Sequence, residues 1–179
     1  MKQKTIVILT ALFSTPLETR NGGIYAYQLK EGKDPLMIAE QEYESGTKLK
    51  FTNFTSCIGV VAKHGPVLTG VPLVMLGSNG GRDYVPFSPT DVSRVMTVLC
   101  QNPTAAADRI TLFGFIDAWR NGDNGEEVKI ATLKLTGELK LKVGNGGVDY
   151  YYEVKEDRNA TYSAKIVNGE IKITKKIDV

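Results

Sequence analysis

Residues 48–76 read KLKFTNFTSCIGVVAKHGPVLTGVPLVML. Ile58–Lys63 and Leu68–Leu76 are short runs rich in Val, Ile and Leu, of a length that suits strands rather than helices. His64-Gly65-Pro66 between them punctuates a tight turn. A further strand at Lys48–Thr52 precedes them. The segment therefore predicts a strand leading into a hairpin, with Cys57 at the point where the hairpin opens.

Working outward, Ile6–Phe13 is a continuous apolar run that suits a buried first strand. Lys2 and Lys4 before it also match the start of a secretory signal, but Ser14-Thr15-Pro16 is a poor cleavage site, so the strand is the favoured reading. Asn21-Gly22-Gly23 marks a turn and Ile24–Leu29 a second strand, followed over 30–47 by loop with short strand pieces. Ser88, Pro89 and Asp91 start a helix, and Val92, Val95, Met96, Leu99 and Cys100 share one face of it before Asn102-Pro103 ends it. A short second helix is expected near Thr104–Asp108, then a buried strand over Ile110–Trp119. The remainder reads as a meander of Val128–Leu135, Leu139–Val143, Val148–Val154, Thr161–Val167 and Glu170–Lys175, with Asn168-Gly169 the strongest hairpin signal in the chain. About ten strands around one clear helix predict a strand-rich α+β fold within the α/β class. Its expected form is a two-layer, β-sandwich-like core of mixed sheets with one or two helices on one face, and residues 1–179 forming a single domain.

The 179 residues, 42% hydrophobic and 23% charged, are enough to bury a core and carry no signature of disorder. A net charge of +2 is too small to attract nucleic acid or a membrane through a broad field. No apolar run approaches the ~20 residues that a membrane-spanning helix needs. One histidine and two cysteines exclude most zinc arrangements, and no cofactor is expected. Cys57 and Cys100 stand open to three readings: core residues, a disulfide, or a reactive thiol.

A thiol reacts when it is partly accessible and nearby donors favour its thiolate. Backbone N–H groups at the opening of a strand, with hydroxyls from Thr52, Thr55 and Ser56, can supply this at Cys57. Taken alone, such a cysteine is more often a small buried hydrophobe. However, Thr52–Leu76, with Cys57-Ile-Gly-Val-Val-Ala-Lys-His64-Gly65 at its heart, resembles the catalytic hairpin of the cytotoxic necrotizing factor domains. It is similar also to the lethal-factor glutamine deamidases and, more distantly, to the chemoreceptor deamidases. The helix at Pro89–Gln101 followed by Ile110–Phe115 fits the chemoreceptor branch, and Asn21-Gly22-Gly23-Ile24 is similar to the lethal-factor group. The resemblance spans roughly residues 5–119 and implies a bacterial toxin or effector that deamidates a glutamine on a host protein. It implies Cys57 as nucleophile with Thr52 assisting. It also implies a histidine on the returning strand, and there the chain departs: the family spacings fall on Pro72 or Thr69. The single histidine, His64, lies at the turn, seven strand residues or roughly 23 Å from Cys57.

Weaker features have plainer readings. Gly77–Asp83 can cradle an anion through its backbone, but reads as a connection, since no helix follows it directly. Asn121–Glu127 offers oxygen ligands without the spacing of a calcium loop. Asn53-Phe54-Thr55 and Asn159-Ala160-Thr161 match the glycosylation triplet, a common chance pattern. Asp117 marks a strand exit or orients a partner, and Tyr150, Tyr151 and Tyr152 pack or form a partner surface. The expectation is a secreted or host-delivered, deamidase-like domain acting on a protein substrate, inactive if the missing histidine is not replaced. The alternative is a non-catalytic, β-rich protein-binding domain; a cytoplasmic location stays open.

Overall fold

The computed structural model describes residues 19–20, 23–24, 27–100, 106–144, 147–152 and 159–179. In chain order the strands are β1 (Thr19–Arg20), β2 (Gly23–Ile24), β3 (Lys30–Glu31), β4 (Glu42–Gly46), β5 (Lys48–Phe54), β6 (Ile58–His64), β7 (Val67–Leu73), β8 (Leu76–Ser78) and β9 (Tyr84–Pro86). Helix α1 (Val92–Cys100) leads to β10 (Arg109–Gly114), helices α2 (Ile116–Asn121) and α3 (Glu126–Lys142), then β11 (Val148–Tyr152), β12 (Ala160–Val167) and β13 (Glu170–Ile177).

The hairpin read from residues 48–76 is the centre of the fold. β6 and β7 pair antiparallel from Ile58↔Leu73 to His64↔Val67 around Gly65-Pro66. They sit inside a six-stranded sheet of order β11-β10-β6-β7-β4-β3, in which β10–β11 and β3–β4 are parallel. β5 instead joins a second sheet, β13-β12-β5, through β12. The fold is thus strand-rich α+β with mixed sheets, as expected.

Alternation along β6 and β7 decides what each face meets. On the inner face Gly59 and Gly70 leave room for rings: a Cβ on Gly59 would run into Phe113, and one on Gly70 into Phe51 and Leu49. Phe51, Phe54, Phe113 and Tyr162 fill that space, their centroids 5.0–6.3 Å apart. The opposite face takes the helices. α1 packs on β6 and β7, and α3 packs on α1 and α2.

The turn leading into α1 carries the expected reciprocal bonds: the Ser88 N–H and hydroxyl donate to Asp91 Oδ2 at 2.9 and 2.8 Å, and the Asp91 N–H donates to the Ser88 carbonyl. The Asn168-Gly169 hairpin is also as expected, with both residues at positive φ (52° and 80°).

Four expectations fail for physical reasons. Val128–Leu135 and Leu139–Val143 are not strands but parts of one helix, α3. Its buried residues Val128, Ala131, Thr132, Leu135, Thr136 and Leu139 follow helical spacing, and two of those six are threonines. Their β-branched, polar character suggests a strand, yet each hydroxyl bonds back to a carbonyl one turn earlier, Thr132 to Val128 and Thr136 to Thr132. Ile110–Trp119 is cut at Gly114, whose φ of +105° and contact with the Cys57 carbonyl turn the chain into α2. Leu68–Leu76 breaks at Val74, whose N–H and carbonyl are both taken by the hydroxyl of buried Tyr27, at 2.8 and 2.9 Å. Finally, residues 27–29 are not strand. There are accordingly three helices among the described residues, and none is long and apolar enough to cross a membrane. The strand at Ile6–Phe13, Asn21-Gly22 and part of Thr104–Asp108 lie outside the described residues.

One side chain works as a piece of sheet. Gln41, buried and at φ +61°, donates from Nε2 to the carbonyls of Gln28 and Ser78 and accepts at Oε1 from the Ser78 N–H (2.7, 2.9 and 2.8 Å).

Candidate functional site

Cys57 lies at the junction of β5 and β6, clamped by the corner that follows β10. Its carbonyl accepts from the Phe115 N–H at 3.2 Å, and the neighbouring Ser56 carbonyl accepts from Trp119 Nε1 at 2.9 Å. Gly114 permits this: only a residue without Cβ lets the chain pass so close to the Cys57 carbonyl.

The sulfur is sealed. Cys57 is 1% exposed, and its thiol donates to Glu40 Oε1 at 3.5 Å. Burial, then the negative charge of Glu40, push the thiol from its ordinary 9.0 up to about 12; backbone N–H groups of Thr55 and Ser56 oppose this. The sequence points to an accessible sulfur, and the structure buries it: the donors foreseen beside it are present, but desolvation and a carboxylate outweigh them. Tyr27 shares this environment, its hydroxyl held well above its usual pKa chiefly by burial and also by the charges of Cys57 and Glu40.

Glu40, an exposed loop residue, is the member that sequence reasoning missed. It stands 17 positions from Cys57, in an irregular stretch, and no periodicity points at it.

Thr52 is not bonded to the thiol. It is half-buried, and its hydroxyl donates to the Ile38 carbonyl at 3.5 Å, beside the backbone bond from Thr52 N–H to the same oxygen at 3.1 Å.

The register separates the two positions where the family histidine is expected. Pro72 pairs with Gly59, one position inside the end of the β6–β7 ladder at Ile58↔Leu73. Thr69 pairs with Ala62 on the other face and hydrogen-bonds Ser45 Oγ at 2.8 Å. His64 ends β6 at the far side, with Nε2 3.1 Å from the Leu99 carbonyl.

The remaining candidates resolve simply. Cys57 and Cys100 are both free thiols, which removes the disulfide reading. In the loop after β8, the Gly80 and Gly81 N–H groups are already used by Ser78 Oγ and Asn79 Oδ1, leaving a poor anion cradle. Among the described residues no group of His, Cys, Asp and Glu could hold a metal. Asp117 is exposed in the first turn of α2, where its charge suits the helix end.

No protein-family model matches the chain, and no curated protein matches it in sequence. Among solved structures it is similar to the C-terminal domain of CNFy from Yersinia pseudotuberculosis, at a TM-score of 0.39 and 10% identity over 79% of this chain. The chain spans 61% of that structure's length. So distant a likeness transfers no residue and no activity.

Proposed function

We propose that this chain is a deamidase-like domain that acts by binding a protein, with Cys57 a packing residue rather than a nucleophile. The observation that supports this reading is the environment of the sulfur, desolvated and facing a carboxylate. A thiol so placed is almost wholly protonated at neutral pH. A binding surface is available on the loop that covers it: Leu36 and Met37 are 44% and 67% exposed, a few residues before Glu40. Adjacent exposed apolar side chains of this kind suit the buried centre of a protein interface. The partner would be a host protein met after secretion or delivery.

The test is thiol mapping by mass spectrometry after iodoacetamide at neutral pH. Cys57 and Cys100 should both resist in the folded protein and both react in urea. Labelling of native Cys57 tenfold or more faster than Cys100 would overturn the proposal.

One contact favours a second reading, that of an active deamidase. If Glu40 takes the thiol proton, the thiolate attacks a glutamine carboxamide carbon, with Thr52 assisting and backbone N–H groups holding the oxyanion. Glu40 then returns the proton to departing ammonia, and water cleaves the thioester. That reading requires fast native labelling of Cys57, together with ammonia release from a glutamine-bearing protein that Glu40→Gln suppresses.

A further inference from the structure

Helix α3 is apolar on two sides. One stripe faces the core, from Val128 to Leu139. On the other side Ile130, Leu133 and Leu141 are 48%, 58% and 83% exposed. At 3.6 residues per turn these three and Gly137 fall within an arc of about 80°, diametrically opposite the buried stripe. Gly137 lies inside that arc, and a Cβ built there meets nothing within 4 Å. No packing within the chain asks for glycine, the least favourable residue after proline in a helix interior. What a bare backbone in an apolar stripe offers is close approach to another backbone.

We propose that this face is an isologous dimer interface, in which α3 lies antiparallel on α3 of a second copy with the two-fold axis at Gly137. The sequence is self-complementary about that point. Leu133 and Leu141 stand four residues to either side, so the axis sets Leu133 of one copy beside Leu141 of the other, twice. Lys134 and Glu138 share one flank, three residues before and one after the axis. The two-fold brings Lys134 of each copy to within about 3 Å, in axial position, of Glu138 of the other. Lys129 and Lys140 share the opposite flank, offset by about 7.5 Å along the axis, so these like charges do not meet head-on. In one copy the Lys134 ammonium rests on the Pro89 carbonyl at 3.1 Å, an exposed contact that it can exchange for a carboxylate. This self-matching of charge and shape singles out a second copy among apolar partners. The inference stands independently of whether Cys57 reacts.

Sedimentation of the full chain over a concentration series tests it. The wild type should form a dimer, and Leu133→Lys with Leu141→Lys should raise the dissociation constant at least about tenfold. Glu138→Lys should weaken association, and adding Lys134→Glu should restore it. A residue on the axis meets its own copy, so Gly137→Cys should oxidise to a covalent dimer, because packed helices bring such positions within disulfide reach. A chain that stays monomeric near millimolar concentration, or a dimer indifferent to both the leucine and the charge variants, overturns the proposal. All of these positions but Glu138 are exposed, and circular dichroism verifies that each variant keeps its helices.

Discussion

Removing the Cys57 thiol should make the protein more resistant to alkali. A thiol held at about 12 when folded, against an ordinary 9.0, keeps its proton in the native state while the unfolded chain loses it. The native state then binds more protons, so stability falls as pH rises, from about pH 9 upward. Below that window the group contributes no pH dependence. Near pH 10.5 ionisation favours the unfolded chain by about 2 kcal/mol, and by pH 12 the loss approaches about 4 kcal/mol. Cys100 and Tyr27 are also shifted upward, mainly by burial, which the variant retains, so only the lesser part of the Tyr27 shift that comes from the Cys57 charge differs between the two proteins. The assay is urea unfolding of wild type and Cys57→Ala at neutral pH and near pH 10.5. The single tryptophan, buried Trp119, supplies the fluorescence signal. The stability gap between the two proteins should move by about 2 kcal/mol in favour of the variant. A gap that stays constant to within a few tenths would mean that the sulfur ionises as easily folded as unfolded, and the sealed site would be refuted.

Two further predictions concern the frame around the site. Gly59→Ala should cost about 3 kcal/mol, because its Cβ would displace Phe113 from the ring cluster. Chemical denaturation measures it, Phe113→Leu should relieve part of the cost in the double variant, and a loss under 1 kcal/mol would contradict the packing. Asp91→Ala should cost about 1 kcal/mol by opening the reciprocal cap with Ser88, read as a lower urea midpoint with an unchanged denaturant slope.

Legibility in the sequence followed locality. The hairpin about Gly65-Pro66, the capped helix from Val92 and the Asn168-Gly169 turn depend on neighbours a few residues apart, and they stand where the pattern puts them. Helix α3 was hidden because two of its core positions are threonines and its outer face is apolar too, so neither face looks polar. The break at Gly114 depends on a backbone contact with Cys57, more than fifty residues earlier in sequence, which no local pattern carries. The same holds at the site. Cys57 is visible as a cysteine at a strand opening, but whether it is acidic or inert depends on Glu40, Tyr27 and the depth of burial, all set by tertiary packing.

The side chain of Gln41 has a last implication. Its amide nitrogen gives hydrogens to two carbonyls while its oxygen receives one, a pattern that only a primary amide satisfies. Conversion to glutamate would replace that nitrogen by an anionic oxygen 2.7 Å from the Gln28 carbonyl and 2.9 Å from that of Ser78, turning two attractions into repulsions at a buried point. The join between residues 28, 41 and 78 thus depends on one buried side-chain amide staying an amide.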